Sequence, residues 1–307
     1  MEEEQRVQLK LSAVNWRNTL FFLFIHLIAL LAFVPWFFSW AGVALCAVGI
    51  VLFGTVGLSI GYHRLFTHRG FTCPRWLERT IAILGCCCGE EAPAFWVAVH
   101  RRHHHHSDDD HDPHSPVSGF FWAHVGWLLA KDPELNRYTV IDRYARDLRR
   151  DPFHALLIQH DTWIVFFFLS WALFFLSGLS AGLLLGWSWE SAIQLGWSLL
   201  IWGGALRTVV VWHQTWFVNS AAHIWGYRNY ETKDSSRNNI WAGIFCNGDG
   251  WHNNHHADPN SAMHGHKWWE IDLSWTIIRS LMIVGLARDV VLPSSTSVRE
   301  IASVEKV

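Results

Sequence analysis

The chain has 307 residues, and its 24 Lys and Arg against 26 Asp and Glu give a formal net charge of −2. This near-neutral balance offers no support for nucleic-acid binding, which needs a basic surface. Hydrophobic residues make up 51% of the chain, and Trp (21), Phe (20) and His (20) are unusually frequent. Tryptophan is enriched where a membrane meets water, and histidine is the commonest metal ligand, so a membrane protein with a metal site is indicated.

Four apolar segments are long enough to cross a bilayer, which takes about 20 residues of helix. We predict spans at residues 19–38, 41–62, 162–186 and 191–217. The connections within the first pair and within the second pair are tight, so the spans form two hairpins. Residues 76–99 are also apolar, but Glu90, Glu91 and Pro93 interrupt them. We interpret this segment as a buried or interfacial helix rather than a span.

The distribution of Lys and Arg predicts the orientation of the chain. Neither tight connection contains Lys or Arg, whereas segment 1–17, the central segment 63–161 and the C-terminal part contain many. The positive-inside rule therefore places both termini and the central segment in the cytoplasm. The predicted organisation is a cytosolic N-terminal segment (1–17), a membrane domain (18–292) and a disordered tail (293–307).

Histidines cluster in three motifs on the predicted cytoplasmic side. Two motifs, H-R-R-H-H at 100–104 and H-N-N-H-H at 252–256, place three imidazoles on one helix face, because residues three and four apart are neighbours there. The third, H-R-L-F-T-H at 63–68, suits one ligand at a helix end and one on the following turn. With one histidine after the fourth span, the candidate metal ligands are His63, His68, His100, His103, His104, His223, His252, His255 and His256.

The kind of metal follows in part from the donor atoms. The sequence contains no E-x-x-H pair of the sort that ferritin-like di-iron sites use. All-nitrogen sites suit zinc, copper, iron or nickel. A structural zinc needs only four ligands, whereas nine histidines fit two metal ions. Two redox-active irons would suit O₂ activation, with a lipid substrate supplied by the adjacent spans.

Two other interpretations are open at this point. A run such as His103–His106 is also typical of a solvated loop that binds metal loosely. A histidine-rich membrane metal transporter would need ionisable residues that face each other within the spans. The spans contain almost none, and Arg207 is the main exception.

The motifs resemble those of the stearoyl-CoA (acyl-CoA delta-9) family of membrane fatty-acid desaturases. The matching strings begin with GYHRLFTHRGF (61–71), HRRHHHH (100–106) and GWLL (126–129). They continue with TWFVNSAAHIWGYRNY (215–230) and GDGWHNNHHA (248–257). The resemblance implies an all-α integral-membrane fold, in which four transmembrane helices in two hairpins support a cytosolic helical cap with a histidine-rich di-iron site.

The resemblance also implies roles for individual residues. One iron would be bound by His63, His68, His100, His103 and His255, and the other by His104, His223, His252 and His256. Asn219 would reach the second iron through a water molecule, and Trp216 would line the acyl tunnel. Lys131 follows GWLL, where the family has a basic pair. As a further hypothesis, Ala47 and Val51 in the second span close the tunnel.

The implied function is an O₂-dependent fatty-acyl desaturase that introduces a cis double bond, at the delta-9 position, into a saturated acyl chain. That chain would be carried on CoA or on a membrane lipid. The cofactors would be two Fe (Fe²⁺/Fe³⁺), and electrons would come from a separate donor, ferredoxin or cytochrome b5 with its reductase. A hydroxylase on the same scaffold is the alternative within the enzyme class.

Overall fold

The computed structural model of the chain describes residues 14–294. Within these residues it is helical and contains isolated β-bridges but no strand, so the predicted all-α class is confirmed. The helices, in chain order, are α1 (Trp16–Phe33), α2 (Trp40–Thr67), α3 (Arg75–Cys86), α4 (Pro93–His106), α5 (122–129), α6 (Arg137–Tyr144), α7 (Arg146–Arg150), α8 (Pro152–Ile158), α9 (Thr162–Leu184), α10 (Trp189–Ile224), α11 (Ile240–Phe245), α12 (His252–Ala257) and α13 (Leu273–Ile283). The predicted N-terminal segment (1–17) and tail (293–307) fall almost entirely outside the described residues.

Four helices, α1, α2, α9 and α10, are long and apolar enough to cross a membrane. They correspond to the four predicted spans. Helices α9 and α10 form a close hairpin, because a Cβ atom on Gly178 would lie only 2.8 Å from the Cα of Gly196. Glycine at this crossing lets the two backbones touch, as small residues do between membrane helices.

Helices α2 and α10 are longer than the predicted spans and longer than the hydrocarbon core of a bilayer requires. Their 28 and 36 residues give lengths of about 42 and 54 Å, against about 30 Å for the hydrocarbon core. The extra turns carry His63 and His223 out of the membrane-spanning part. At the end of α2 the N–H of His68 donates to the carbonyl of His63 at 3.2 Å. This i→i+5 turn brings residues five apart onto one face, which explains the H-R-L-F-T-H spacing.

The remaining helices form a cap on the extended ends of α2 and α10. Residues 76–99 divide between α3 and α4, joined by a turn at Gly89 (φ +74°), and neither helix is long enough to span. The core between α2, α3, α4 and α6 is apolar and fully buried at Tyr62, Ile81, Val97 and Ile141. The cap therefore packs as one body on α2.

Arg207, the arginine within the predicted spans, is held by contacts inside the protein. It is fully buried in α10 and donates hydrogen bonds to the carbonyls of Gly203 (2.9 Å) and Cys87 (2.8 Å). Its guanidinium also lies 4.5 Å from the centre of the Phe53 ring. Arg207 thus bonds to a carbonyl group at the C-terminal end of α3. A transport pathway would need Arg207 to face a second charged group, and among residues 14–294 it faces none.

Candidate metal centre

The nine predicted ligands come together in the cap, where α2, α4, α10 and α12 meet. Their ring nitrogens form two sets, and within each set the candidate ligand atoms lie within 4.8 Å of one another. Set A consists of His63, His68, His100, His104 and His255. Set B consists of His103, His223, His252 and His256. All nine side chains are buried or half-buried.

The division between the sets differs at two positions from the one that the family resemblance implied. His104 belongs to set A and His103 to set B, the reverse of the expected assignment. The reason is helical geometry: at about 100° per residue, His104 lies about 40° from His100, whereas His103 lies about 60° away on the other side. The Nε2 of His104 accordingly lies 3.2 Å from Nε2 of His100 and 3.0 Å from Nε2 of His255.

The protonation pattern of set B fits a bound cation. Nδ1 of His103 lies 2.9 Å from Asp112, and Nδ1 of His256 lies 2.7 Å from Asp234, so in the neutral imidazoles the proton sits on Nδ1. Both Nε2 atoms then present lone pairs, although they lie only 3.4 Å apart. Metal–imidazole bonds of about 2.0–2.1 Å, as in zinc sites, place neighbouring ligand nitrogens about 3–3.4 Å apart. The arrangement is therefore that of ligands around a metal ion.

Four aspartates contact the Nδ1 atoms of metal-ligand histidines, and three of these aspartates contact histidines of set B. They pair with ring nitrogens as Asp112–His103 (2.9 Å), Asp234–His256 (2.7 Å), Asp108–His223 (3.2 Å) and Asp249–His63 (3.4 Å). Such partners fix the tautomer and orientation of a ligating histidine. Asp249 lies in the GDGWHNNHHA string that carries the family resemblance. The acidic stretch S-D-D-D-H-D at 107–112, which follows the histidine cluster, was the available signal for Asp108 and Asp112.

Burial favours the neutral form of most of these ligands. It lowers the pKa of His100, His104, His252 and His255 well below 6.5, and neighbouring imidazoles lower it further. Burial also lowers the pKa of His256 to about 4, although Asp234 opposes the shift. At His103 burial is outweighed by Asp112, which raises the pKa above its ordinary value. Metal ions bind the deprotonated imidazole, so the ligands whose pKa is lowered would release no proton on binding a metal near pH 7.

A large cavity leads from the outer surface to the metal sets. Its volume is about 620 Å³, and its walls come from α1, α4, α9 and α10. A second, small cavity of about 50 Å³ continues between α2 and α10, where Gly54, Leu58 and Val211 line it. The two cavities share four wall residues: Trp96, His100, Thr215 and Asn219. An extended apolar chain that followed this route would pass set A at His100.

Comparison with known proteins agrees with this geometry. Residues 38–283 match the family described as Fatty acid desaturase. The chain belongs to this family. It is 42% identical over 279 residues to an sn-2 palmitoyl-lipid 9-desaturase of Nostoc (91% of this chain, 90% of the relative). It is 43% identical to an sn-1 stearoyl-lipid 9-desaturase of Anabaena variabilis (91% and 94%) and 40% identical to one of Synechocystis (92% and 82%). The protein is thus an oxidoreductase that acts on acyl chains.

The predicted substrate residues of the desaturase differ in whether they line the cavities. Trp216 is buried and lines the large cavity, and Asn219 lies beside His100 where the cavities meet. Lys131 is exposed and is not part of the cavity wall. Ala47 and Val51 are also exposed, on the outer face of α2, and line neither cavity.

The hypothesis that Ala47 and Val51 close the tunnel is therefore corrected. Helix α2 turns its small buried residues, Gly42, Cys46 and Gly49, toward the bundle, and this leaves Ala47 and Val51 on the opposite side. The residue of α2 that lies at the end of the desaturase cavity is Gly54, about one turn further along.

Two functional candidates were not predicted from the sequence. Glu90 bridges α4 and α10 at the junction of the cavities, where it accepts hydrogen bonds from Trp96 Nε1 (3.0 Å) and Thr215 Oγ1 (2.9 Å). Burial raises the pKa of Glu90 to about 8, so the desaturase holds a neutral carboxyl there. His264 is fully buried, with Nδ1 3.3 Å from Asp249 and its ring 4.5 Å from that of His255. No spacing pattern marks His264.

Proposed function

We propose that this desaturase introduces a cis double bond at the delta-9 position of a saturated acyl chain attached to a membrane lipid. Sets A and B would hold two irons, which supply the oxidising power when O₂ and electrons from a separate ferredoxin or cytochrome b5 are provided. Asn219 would bind the iron at set B through a water molecule. The Lys and Arg distribution supports a cytoplasmic position for the cap and both termini.

The route of the cavity is the observation that carries this proposal. A chain threaded through the large cavity meets Trp96 and Thr215 at the junction, beside His100 and Asn219, and continues between α2 and α10. The ligands His63, His100 and His252 line the small cavity, so only a short stretch of the chain lies beside the metal sets. An apolar wall distinguishes single methylenes weakly, by about 1–3 kcal/mol, so depth of insertion must select the bond. The inner end of the small cavity, near Gly54, would set that depth.

The lipid carrier is proposed on two grounds. The relatives reported above are described as acting on palmitoyl-lipid and stearoyl-lipid substrates. The large cavity also opens beside the membrane-spanning helices α1 and α9 rather than only toward the cap. A lipid in the bilayer would need no transfer through water to reach that opening.

The test is production of the protein in cells that lack their own desaturase, followed by mass spectrometry of the fatty acids. We expect a monounsaturated product two hydrogens lighter than its precursor, in the lipid fraction. His104→Ala removes a set A ligand and should abolish the product. The matched control is His105→Ala, because His105 is the next residue, is exposed and belongs to neither set.

Two results would contradict the proposal. A product one oxygen heavier would assign the protein to the hydroxylases instead. Full activity of His104→Ala, in membranes that contain the protein at the level of the unmodified chain, would show that set A does not take part in the reaction.

A further inference from the structure

The large cavity extends to the side of the protein where the membrane-spanning helices α1 and α9 meet. Phe168 of α9 lines the cavity and is also 47% exposed on the outer surface, and Arg17 of α1 lines it with a side chain that is 73% exposed. Between these points α1 and α9 touch through the edges of Phe21 and Phe167, whose ring centres are 6.0 Å apart. An aromatic contact and one surface ion pair, Arg17–Asp161 at 3.2 Å, therefore close this side of the cavity.

The rim of the cavity between α1 and α9, formed by Arg17, Glu91, Arg137 and Asp161, is polar, and its positive and negative charges are equal in number. Arg17 pairs with Asp161, and Arg137 pairs with both Asp161 and Glu91. Two cations thus face two carboxylates. A polyphosphate such as that of CoA needs cations that are free to bind it, as the bidentate use of arginine by phosphates requires. The rim offers no such surplus, so an uncharged group fits it better.

Three tryptophan and arginine N–H groups in the wall are buried and have no hydrogen-bond partner within the described residues. They are Trp127 Nε1, Arg137 Nε and Trp163 Nε1. Two of them lie beside the Arg17–Asp161 ion pair, since Arg137 itself pairs with Asp161 and Trp163 follows Asp161 in the first turn of α9. Buried donors are rarely left unpaired in folded proteins, so an oxygen acceptor is expected from whatever occupies this part of the cavity. An ester carbonyl is such an acceptor.

We propose that the opening between α1 and α9 is a side entrance from the bilayer, and that Arg137 and Trp163 bind the ester linkage of a glycerolipid with an uncharged head group. The head group then lies at the rim formed by Arg17, Glu91, Arg137 and Asp161, and the acyl chain runs inward toward His100. This inference rests on the proposed function, for which it supplies the binding site of the carrier.

Binding is measured by native mass spectrometry on the purified full-length protein in detergent, so the readout does not depend on catalysis. The probes are a monogalactosyldiacylglycerol, a phosphatidylglycerol and an acyl-CoA with the same saturated chain, in equal amounts. We expect the uncharged lipid to be retained in preference to both anionic probes. Equal retention of all three, or preference for acyl-CoA, would overturn the inference.

Two variants locate the site. Trp163→Phe keeps an aromatic ring but removes the N–H donor, and we expect retention of the uncharged lipid to fall about tenfold, the effect of losing one hydrogen bond. The control is Trp268→Phe, since Trp268 is 90% exposed and lines no cavity. Glu91→Gln leaves one rim arginine uncompensated, so the retention of phosphatidylglycerol should rise. If neither variant changes lipid retention, the head group does not bind at this rim.

The outcomes separate this inference from the proposed function. Preferential retention of the uncharged lipid that depends on Trp163 supports the side entrance even if no desaturated product forms in cells. Desaturation by a protein whose lipid retention is indifferent to charge and to Trp163→Phe refutes the side entrance and leaves the proposed function standing.

Discussion

Replacing Asp112 with Asn tests whether the carboxylates behind set B stabilise metal binding. The side chain of Asp112 is 0% exposed, and its carboxylate lies 2.9 Å from Nδ1 of His103. Burial alone would raise the pKa of Asp112, but His103 lowers it, so the group is charged at neutral pH. Asn keeps the shape and one oxygen that can accept from His103, removes the charge, and replaces the oxygen that accepts the His114 N–H at 3.2 Å with an NH₂ group.

The size of the effect follows from that difference. A hydrogen bond to a charged partner contributes about 1.5–3 kcal/mol and a neutral one about 0.5–1.5 kcal/mol, so the substitution costs about 1–1.5 kcal/mol. This corresponds to about a tenfold loss of affinity, the lower end of the 10- to 100-fold range seen for partners of metal-bound histidines. Because His103 belongs to set B, the metal at set A should be retained.

The assay is metal content by mass spectrometry after dialysis of the purified protein against graded chelator. We expect the Asp112→Asn protein to lose its second metal ion at about one tenth of the chelator strength that the unmodified protein requires. The matched control is Asp109→Asn in the same loop, because Asp109 also accepts a backbone N–H but pairs with His106, which is not a ligand. Equal losses in both variants, or release of both metal ions together, would refute this reasoning.

Two further predictions concern the cavity. In Gly54→Val, the new Cβ would lie 2.9 Å from Val211 and 3.2 Å from Gln214, so the blind end should fill. Overpacking costs about 1–3 kcal/mol, and we expect the ratio of short to long products to rise about tenfold or more in fatty-acid profiles. Val51→Trp on the outer face should leave the profile unchanged, and a similar shift there would contradict the corrected placement. For Glu90, the folded pKa of about 8 lies above the ordinary value of 4.5, so the stabilisation from its neutral form is fully present below about pH 4.5 and is lost progressively as pH rises to about 8. Thermal unfolding temperatures of the unmodified protein should fall between about pH 5 and 8 and level off above pH 8, a fall that Glu90→Gln should lack. Parallel curves for the two proteins would exclude Glu90 as the titrating group.

Sequence patterns predicted the parts of the structure that depend on hydropathy and on helical spacing. The four spans were recognisable because a bilayer core demands uninterrupted apolar residues. Helices α2 and α10 extend beyond the predicted spans, since hydropathy indicates only the part of a helix that lies in a membrane, whereas each helix continues as a support for His63 and His223. The nine ligand candidates were identified by spacing, but their division required the helical angle between His103 and His104.

The missed residues share a physical cause: their roles depend on contacts between distant parts of the chain. Glu90 was interpreted only as an interruption of an apolar segment, whereas its carboxyl accepts a hydrogen bond from Thr215, which lies 125 residues further along the chain. His264 contacts Asp249 and His255 only because the loop after α12 folds back toward the metal ligands. Ala47 and Val51 were assigned to the wrong face, although the spacing of Gly42, Cys46 and Gly49 on α2 held the information.

Helix α10 carries Val211 and Gln214, which line the inner end of the small cavity, and also His223, a ligand of set B. Because these residues lie on one continuous helix, the rise of about 1.5 Å per residue fixes the distance between this wall of the cavity and His223. A side-chain change at the inner end would therefore alter how far a substrate chain inserts without moving the metal ligands.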